Sequence, residues 1–178
     1  MNHIFKYHPD PIKTGNAIIK DFQCSCCNKN KTELYTGSIY TTLESENLEI
    51  CLDCIANGEA ARKYEACFTE SDTDLQNISA ELINELEYRT PGYISWQGNY
   101  WLSHCNDICE FHGDFSKEDL NQLPQETLNE IKNYMNCTDV ELAELVRCYN
   151  PRKGDMNPAL YKFKCRHCDK IRIYCDYT

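Results

Sequence analysis

The chain has 178 residues, 42% of them hydrophobic, and a formal net charge of -10 at pH 7. That length allows one domain or two small ones sharing a core, and the apolar content is ordinary for a soluble globular protein. No apolar run approaches the ~20 residues of a membrane-spanning helix, and the opening MNHIFKYHPDPIKTG lacks the basic-then-apolar pattern of a secretory signal, so the chain reads as cytoplasmic with no membrane partner.

In chain order, residues 1–20 read as extended, because the His8-Pro9-Asp10-Pro11 run breaks any helix. The alternating stretch TELYTGSIYTT, rich in Thr, Tyr and Ile, predicts a hairpin or short strand pair turning at Gly37. ICLDCIANGEAARKYEACF reads as helix for most of its length, interrupted at Asn57-Gly58 and beginning near Cys51 and Cys54. After a polar connector, Ser79 caps AELINELEYR, in which Leu82, Ile83 and Leu86 form one apolar stripe, and Thr90-Pro91-Gly92 ends it. The aromatic residues Tyr93, Trp96, Tyr100 and Trp101 are spaced as one helical face for core packing. Ser116 starts the helical KEDLNQL, Pro124 opens QETLNEIKNYM, and Thr138 with Glu141 forms a capping box before VELAELVRCY. The end, ALYKFKCRHCDKIRIYCDY, reads as a β-hairpin around a Cys-x-x-Cys knuckle.

Thirteen cysteines dominate the chemistry. A reducing compartment keeps thiols reduced, so a disulfide frame is a poor account of them, and pairs at two-residue spacing read as metal ligands. Cys24 and Cys27 are followed after 23 residues by Cys51 and Cys54. A two-residue spacer lets one turn present two thiolates to one ion, and zinc takes four such donors in a tetrahedron. A second pair at a helix start also gains from the helix N-terminus, which favours thiolate. The layout is that of a treble-clef-like zinc module. A thioredoxin-like redox pair would sit in a βαβ unit, and nothing here alternates that way.

Cys165 and Cys168 form another knuckle without a later partner pair, so its other ligands must come from upstream. Cys105 and Cys109 lie one helical turn apart and would face one ion together. The preferred second site is therefore Cys105, Cys109, Cys165 and Cys168, with His104 in place of one cysteine as the closest competitor. His167 reads as an exposed polar residue, and Cys67, Cys137 and Cys148 as core packing. Two all-thiolate sites point to structural zinc and to no enzymatic activity. The minor alternative is a metal-dependent hydrolase at the second site, with Asp107 or Glu110 as general base.

The motif blocks FKYHPDP (5–11), CSCC (24–27), YTGSIY (35–40), CLDCIANGEAARKY (51–64), RTPGYISWQGNYWLSHCNDICEF (89–111) and FKCRHC (163–168) resemble the CbrC family, named for a bacterial protein linked with colicin tolerance. The resemblance implies a bacterial cytosolic protein, a link to resistance against nuclease-type toxins, and the same eight cysteines as metal ligands. It implies no catalytic residue. Charge supplies the other half of the expectation. From residue 65 to 115 the only basic residue is Arg89, against ten acids, whereas from Arg147 onward Lys and Arg outnumber the acids. Nuclease domains are basic because they grip phosphate, and an acidic surface speeds encounter with them.

The expectation is thus an α+β protein with a treble-clef-like zinc module at 1–70. A helical region at 71–178, whose second zinc site is closed by the C-terminal β-hairpin, either follows it or joins it in one continuous domain. Two structural zinc ions are expected. The expected function is that of a non-enzymatic immunity protein that receives a basic nuclease toxin domain on Asp72, Asp74, Glu81, Glu85 and Glu87. The alternative is a nucleic-acid-binding or regulatory module using the basic hairpin, whose affinity would fall steeply with salt.

Overall fold

The computed structural model describes residues 5–43, 47–70, 75, 77–95, 98–148 and 159–176 of a mixed α+β chain. Strands β1 (Ala17–Gln23) and β2 (Asn30–Tyr35) pair antiparallel, joined by the turn that carries Cys24 and Cys27. The expected hairpin around Gly37 does not form. β3 (Tyr40–Thr41) pairs instead with β4 (Ala66–Cys67), while β2 is taken by β1. Gly37 still has a structural duty: the Tyr35 phenol ring lies where a Cβ would stand. The Tyr35 hydroxyl donates to the Ser38 carbonyl at 3.0 Å, folding the loop over its own strand instead of returning it alongside.

The cysteine-bearing helix is split where Asn57-Gly58 interrupts it, into α1 (Leu52–Ala56) and α2 (Glu59–Tyr64). Gly58 adopts φ 73°, a left-handed conformation that glycine enters without steric cost. Helix α3 (Ala80–Arg89) follows Ser79, with Leu86 fully buried and Leu82 and Ile83 packed beside it.

Among the described residues of the aromatic segment no helix forms. Residues 91–95 and 99–102 run without regular structure, and Trp96 lies outside the described residues. Tyr93 and Trp101 are nevertheless core residues, 2% and 0% exposed, and Tyr93 stacks on Phe111 at 4.3 Å between centroids. A short hairpin follows, β5 (Ser103–His104) and β6 (Asp107–Ile108). The last sheet has the order β7 (Glu110–Asp114), β8 (Ala159–Lys164), β9 (Ile171–Asp176), all antiparallel. Between β7 and β8 lie α4 (Lys117–Gln122), α5 (Gln125–Met135) and α6 (Asp139–Cys148). The capping box of α4 joins Ser116 and Asp119, and Thr138 and Glu141 bond reciprocally ahead of α6.

Three apolar clusters fill the interior: one around the first cysteine pairs, one of aromatics under the last sheet, and one where α5 and α6 cover that sheet. The N-terminal segment ties the first two. Phe5 belongs to the first cluster and Tyr7 to the second, and the Tyr7 carbonyl accepts from the Phe111 amide at 2.8 Å. His8 is fully buried between the Pro91 carbonyl (2.7 Å) and the Thr14 hydroxyl (2.6 Å). Among the described residues no helix is long and apolar enough to cross a membrane.

Candidate metal centres

The turn from β1 to β2 and the turn from β8 to β9 are the same backbone device used twice. In the first, the Cys24 amide donates to the Lys29 carbonyl at 3.0 Å and the Asn28 amide returns to the Cys24 carbonyl at 2.8 Å. In the second, Cys165 donates to Lys170 at 2.8 Å and Asp169 returns to Cys165 at 3.1 Å. Asn28 and Asp169 both take positive φ, 57° and 60°, where short polar side chains are tolerated. Each turn therefore aims the two thiols of its Cys-x-x-Cys to one side.

The first turn meets the start of α1. Cys51 is the residue before the helix and Cys54 lies in its first turn, so this pair too converges. The thiols of Cys24, Cys27, Cys51 and Cys54 lie within 4.8 Å of one another, and Cys24 Sγ stands 3.9 Å from Cys54 Sγ. Zinc–sulfur bonds of about 2.3 Å in a tetrahedron require about 3.8 Å between sulfurs. Three of the four thiols are 0–1% exposed. Burial works upward on Cys24, but the amides of Cys27, Cys51 and Cys26 outweigh it and bring the thiol down to about 7. Cys51 is pushed up to about 12, by burial first and by the neighbouring Cys24. Cys54 moves far up for the same reasons, burial and then Cys51. One thiolate forms readily and its charge then opposes the others, a conflict that a divalent cation at the centre removes.

The second turn meets the β5–β6 hairpin. The group assembled there is His104, Cys105, Cys165 and Cys168, with ligand atoms again within 4.8 Å of one another. His104 Nδ1 lies 3.2 Å from Cys105 Sγ and 3.4 Å from Cys168 Sγ, and the Cys105 and Cys168 sulfurs are 3.9 Å apart. This group differs from the expected set of Cys105, Cys109, Cys165 and Cys168 in having His104 where Cys109 was expected. The helical spacing argument fails because Cys105 and Asn106 form the hairpin turn, both at positive φ (53° and 57°). On a hairpin, residues four apart do not share a face. Cys109 turns into the aromatic core, fully buried, where burial and then the Cys165 charge push its thiol to about 12. Cys165 is drawn down to about 6: burial opposes this, and the His167 and Cys168 amides overcome it. Cys105 rises to about 11 through desolvation and its contacts with Cys168 and Cys165. This group is the more open one, since Cys105 and Cys168 are exposed.

A buried carboxylate that spacing could not reveal holds the second turn in place. Asp107 accepts from the Tyr7 hydroxyl at 2.9 Å, from Arg166 at 3.1 Å and from the Ile108 amide at 2.8 Å, and it also meets His167 Nε2 at 3.0 Å. Burial would raise its pKa, but the bonds from His167, Tyr7 and the Ile108 amide hold it below the ordinary carboxylate range. His167 is thus tethered to Asp107 though half exposed. Glu110 is engaged by His112 at 3.0 Å and Arg166 at 3.4 Å. Both candidate bases, Asp107 and Glu110, are occupied by cationic or ring partners.

Of the acidic positions, Glu81 is exposed and Glu85 and Glu87 are half-buried on α3, while Asp72 and Asp74 lie outside the described residues. Glu85 pairs with Arg89 at 3.4 Å. Glu65, Glu81, Glu85, Tyr88, Arg62 and Arg89 line an open groove of about 920 Å³ between α2 and α3. The basic hairpin is internally balanced: Lys162 pairs with Asp119, Lys164 with Asp169, Lys170 with Glu130, and Arg172 donates to the Ser103 carbonyl. Arg152 and Lys153 lie outside the described residues.

Comparison with known proteins gives the chain its relatives. Residues 3–177 match the family described as "Uncharacterised protein family (UPF0167)". The chain is 37% identical to the UPF0167 protein PA1536 of Pseudomonas aeruginosa over 98% of its own length and 96% of the relative's. It is 29% identical to the UPF0167 proteins Mb2317 of Mycobacterium bovis and MT2352 of Mycobacterium tuberculosis, over 98% of its length and 92% of theirs. No solved structure matches it. These matches correct the resemblance to the CbrC family, which none of them supports, and with it goes the tolerance link that the resemblance supplied. The match over almost the whole chain places this protein in the UPF0167 family.

Proposed function

We propose that both tetrads hold structural zinc, the first as a treble-clef-like module, and that the chain is a non-enzymatic protein-binding module. The observation that carries the reading is the completeness of the donor sets. Four protein ligand atoms converge in each, the number that structural zinc takes, whereas catalytic zinc keeps a position for water. The engagement of Asp107 and Glu110 supports the same view, since neither is poised to activate a water.

For the partner, the charge distribution favours a basic protein surface. On α3 Glu81, Glu85 and Glu87 stand against Arg89, the groove beside it adds Glu65 against Arg62, and Lys162, Lys164, Arg166 and Lys170 of the C-terminal hairpin are spent on acids within the chain. That spending weighs against a grip on nucleic acid, which needs cations facing phosphate. A basic protein domain is the partner class that such a surface suits, a nuclease domain being one example because it must grip phosphate, and long-range attraction would accelerate its docking. Association rates with a panel of purified cationic nuclease domains test this. For a true partner, Glu81→Lys with Glu85→Lys should slow association about tenfold at low salt while leaving metal content unchanged. Equal rates for the wild type and the double variant would remove the acidic face from the account.

A further inference from the structure

Cys26 is the extra thiol of the first turn, and neither tetrad uses it. It is 9% exposed, and its Sγ, the Cys54 Sγ and a carboxylate oxygen of Glu59 lie within 4.8 Å of one another. Glu59 Oε2 is 3.9 Å from Cys54 Sγ. These three donors come from three separate positions, each fixed by its own backbone contacts. Lys63 Nζ donates to the Ser25 and Cys26 carbonyls at 2.8 and 2.7 Å, and the Tyr64 hydroxyl donates to Ser25 at 2.7 Å, so the turn cannot swing Cys26 away. Glu59 opens α2 directly after the left-handed Gly58, and its amide is held by Asn57 Oδ1 at 2.8 Å.

We propose that Cys26, Cys54 and Glu59 form a third, weaker seat for a thiophilic divalent cation such as zinc or cadmium, sharing the Cys54 sulfur with the first tetrad. This rests on the reading of that tetrad as a metal centre. A thiolate bound to one ion keeps lone pairs for a second, so Cys54 can bridge. On binding, the Cys26 thiol releases one proton to solvent, Glu59 contributes a carboxylate oxygen, and no electron is transferred. Two added negative charges offset the second cation's repulsion by the first. Among the described residues three protein donors converge there, and Glu59 is exposed, so water completes the coordination and the ion exchanges faster than one inside a full tetrad.

The test is metal stoichiometry on the full-length, reduced, metal-loaded chain. Native mass spectrometry during titration with cadmium should show three ions per chain, and ¹¹³Cd NMR should show two ions coupled through one shared sulfur. Cys26→Ser and Glu59→Gln should each return the count to two, and Glu59→Gln, a change at an exposed side chain, serves where Cys26→Ser folds poorly. A wild-type count that stops at two overturns the third seat and leaves the tetrads standing. A third ion retained in both variants also overturns it, because the ion then sits elsewhere. A chain that takes no ion at all overturns this seat together with the reading on which it rests.

Discussion

His104 and Cys109 divide the second centre at the level of single residues. His104 Nδ1 is in ligand reach of two sulfurs, while Cys109 is sealed into the aromatic core. His104→Ala should lower tightly bound metal from two ions per chain to one, read by elemental analysis. Cys109→Ala should keep both ions and cost about 1–2 kcal/mol from the lost packing, read by urea unfolding. Asp107 is the residue whose loss should matter most without touching a ligand, because Tyr7, Arg166 and His167 all converge on it. Asp107→Ala leaves a buried phenol without its acceptor, and should cost about 2 kcal/mol while the first tetrad's metal stays bound. His8 gives the pH dependence. Burial lowers its pKa to about 4, against an ordinary value near 6.5, so the fold favours the neutral ring. Below pH 6.5 the unfolded chain binds the extra proton, and stability that is complete above that pH is lost as pH falls toward 4. The wild type should lose on the order of 2 kcal/mol more than His8→Gln between pH 7 and pH 5. Equal losses in the two proteins would show that His8 titrates normally.

Elements differ in how far the sequence announces them. Both Cys-x-x-Cys turns are legible because spacing alone dictates convergence, and the α1–α2 break is legible in Asn57-Gly58. The starts of α4 and α6 are legible from Ser116 and from the Thr138–Glu141 box. For Ser116→Ala, loss of the α4 cap should cost about 1 kcal/mol in chemical denaturation. The β5–β6 hairpin was not legible, since His104 to Cys109 carries both a helical spacing and a turn signal, and the spacing argument presupposed a helix. Asn106 was the available clue, a residue that favours the left-handed turn conformation. The pairing of β3 with β4 and the bond from Tyr7 to Asp107 were beyond reach for another reason. They join residues about 25 and 100 positions apart, and local pattern carries no information on which distant strand or acid closes a contact.

At the scale of the molecule, short strands and small helices leave each apolar cluster modest, and on the proposed reading the two zinc-binding tetrads would close the loops between them. With an ion bound, the first would tie residues 24–27 to 51–54 and the second 104–105 to 165–168, so each would restrain a long loop of the chain. The central claim is that both tetrads hold zinc as structural staples. Elemental analysis with X-ray absorption on the reduced protein, isolated without added metal, tests it most directly. The account predicts two zinc ions per chain, one bound by four sulfurs and the other by three sulfurs and one nitrogen. A well-folded, monodisperse protein that contains no zinc would contradict it.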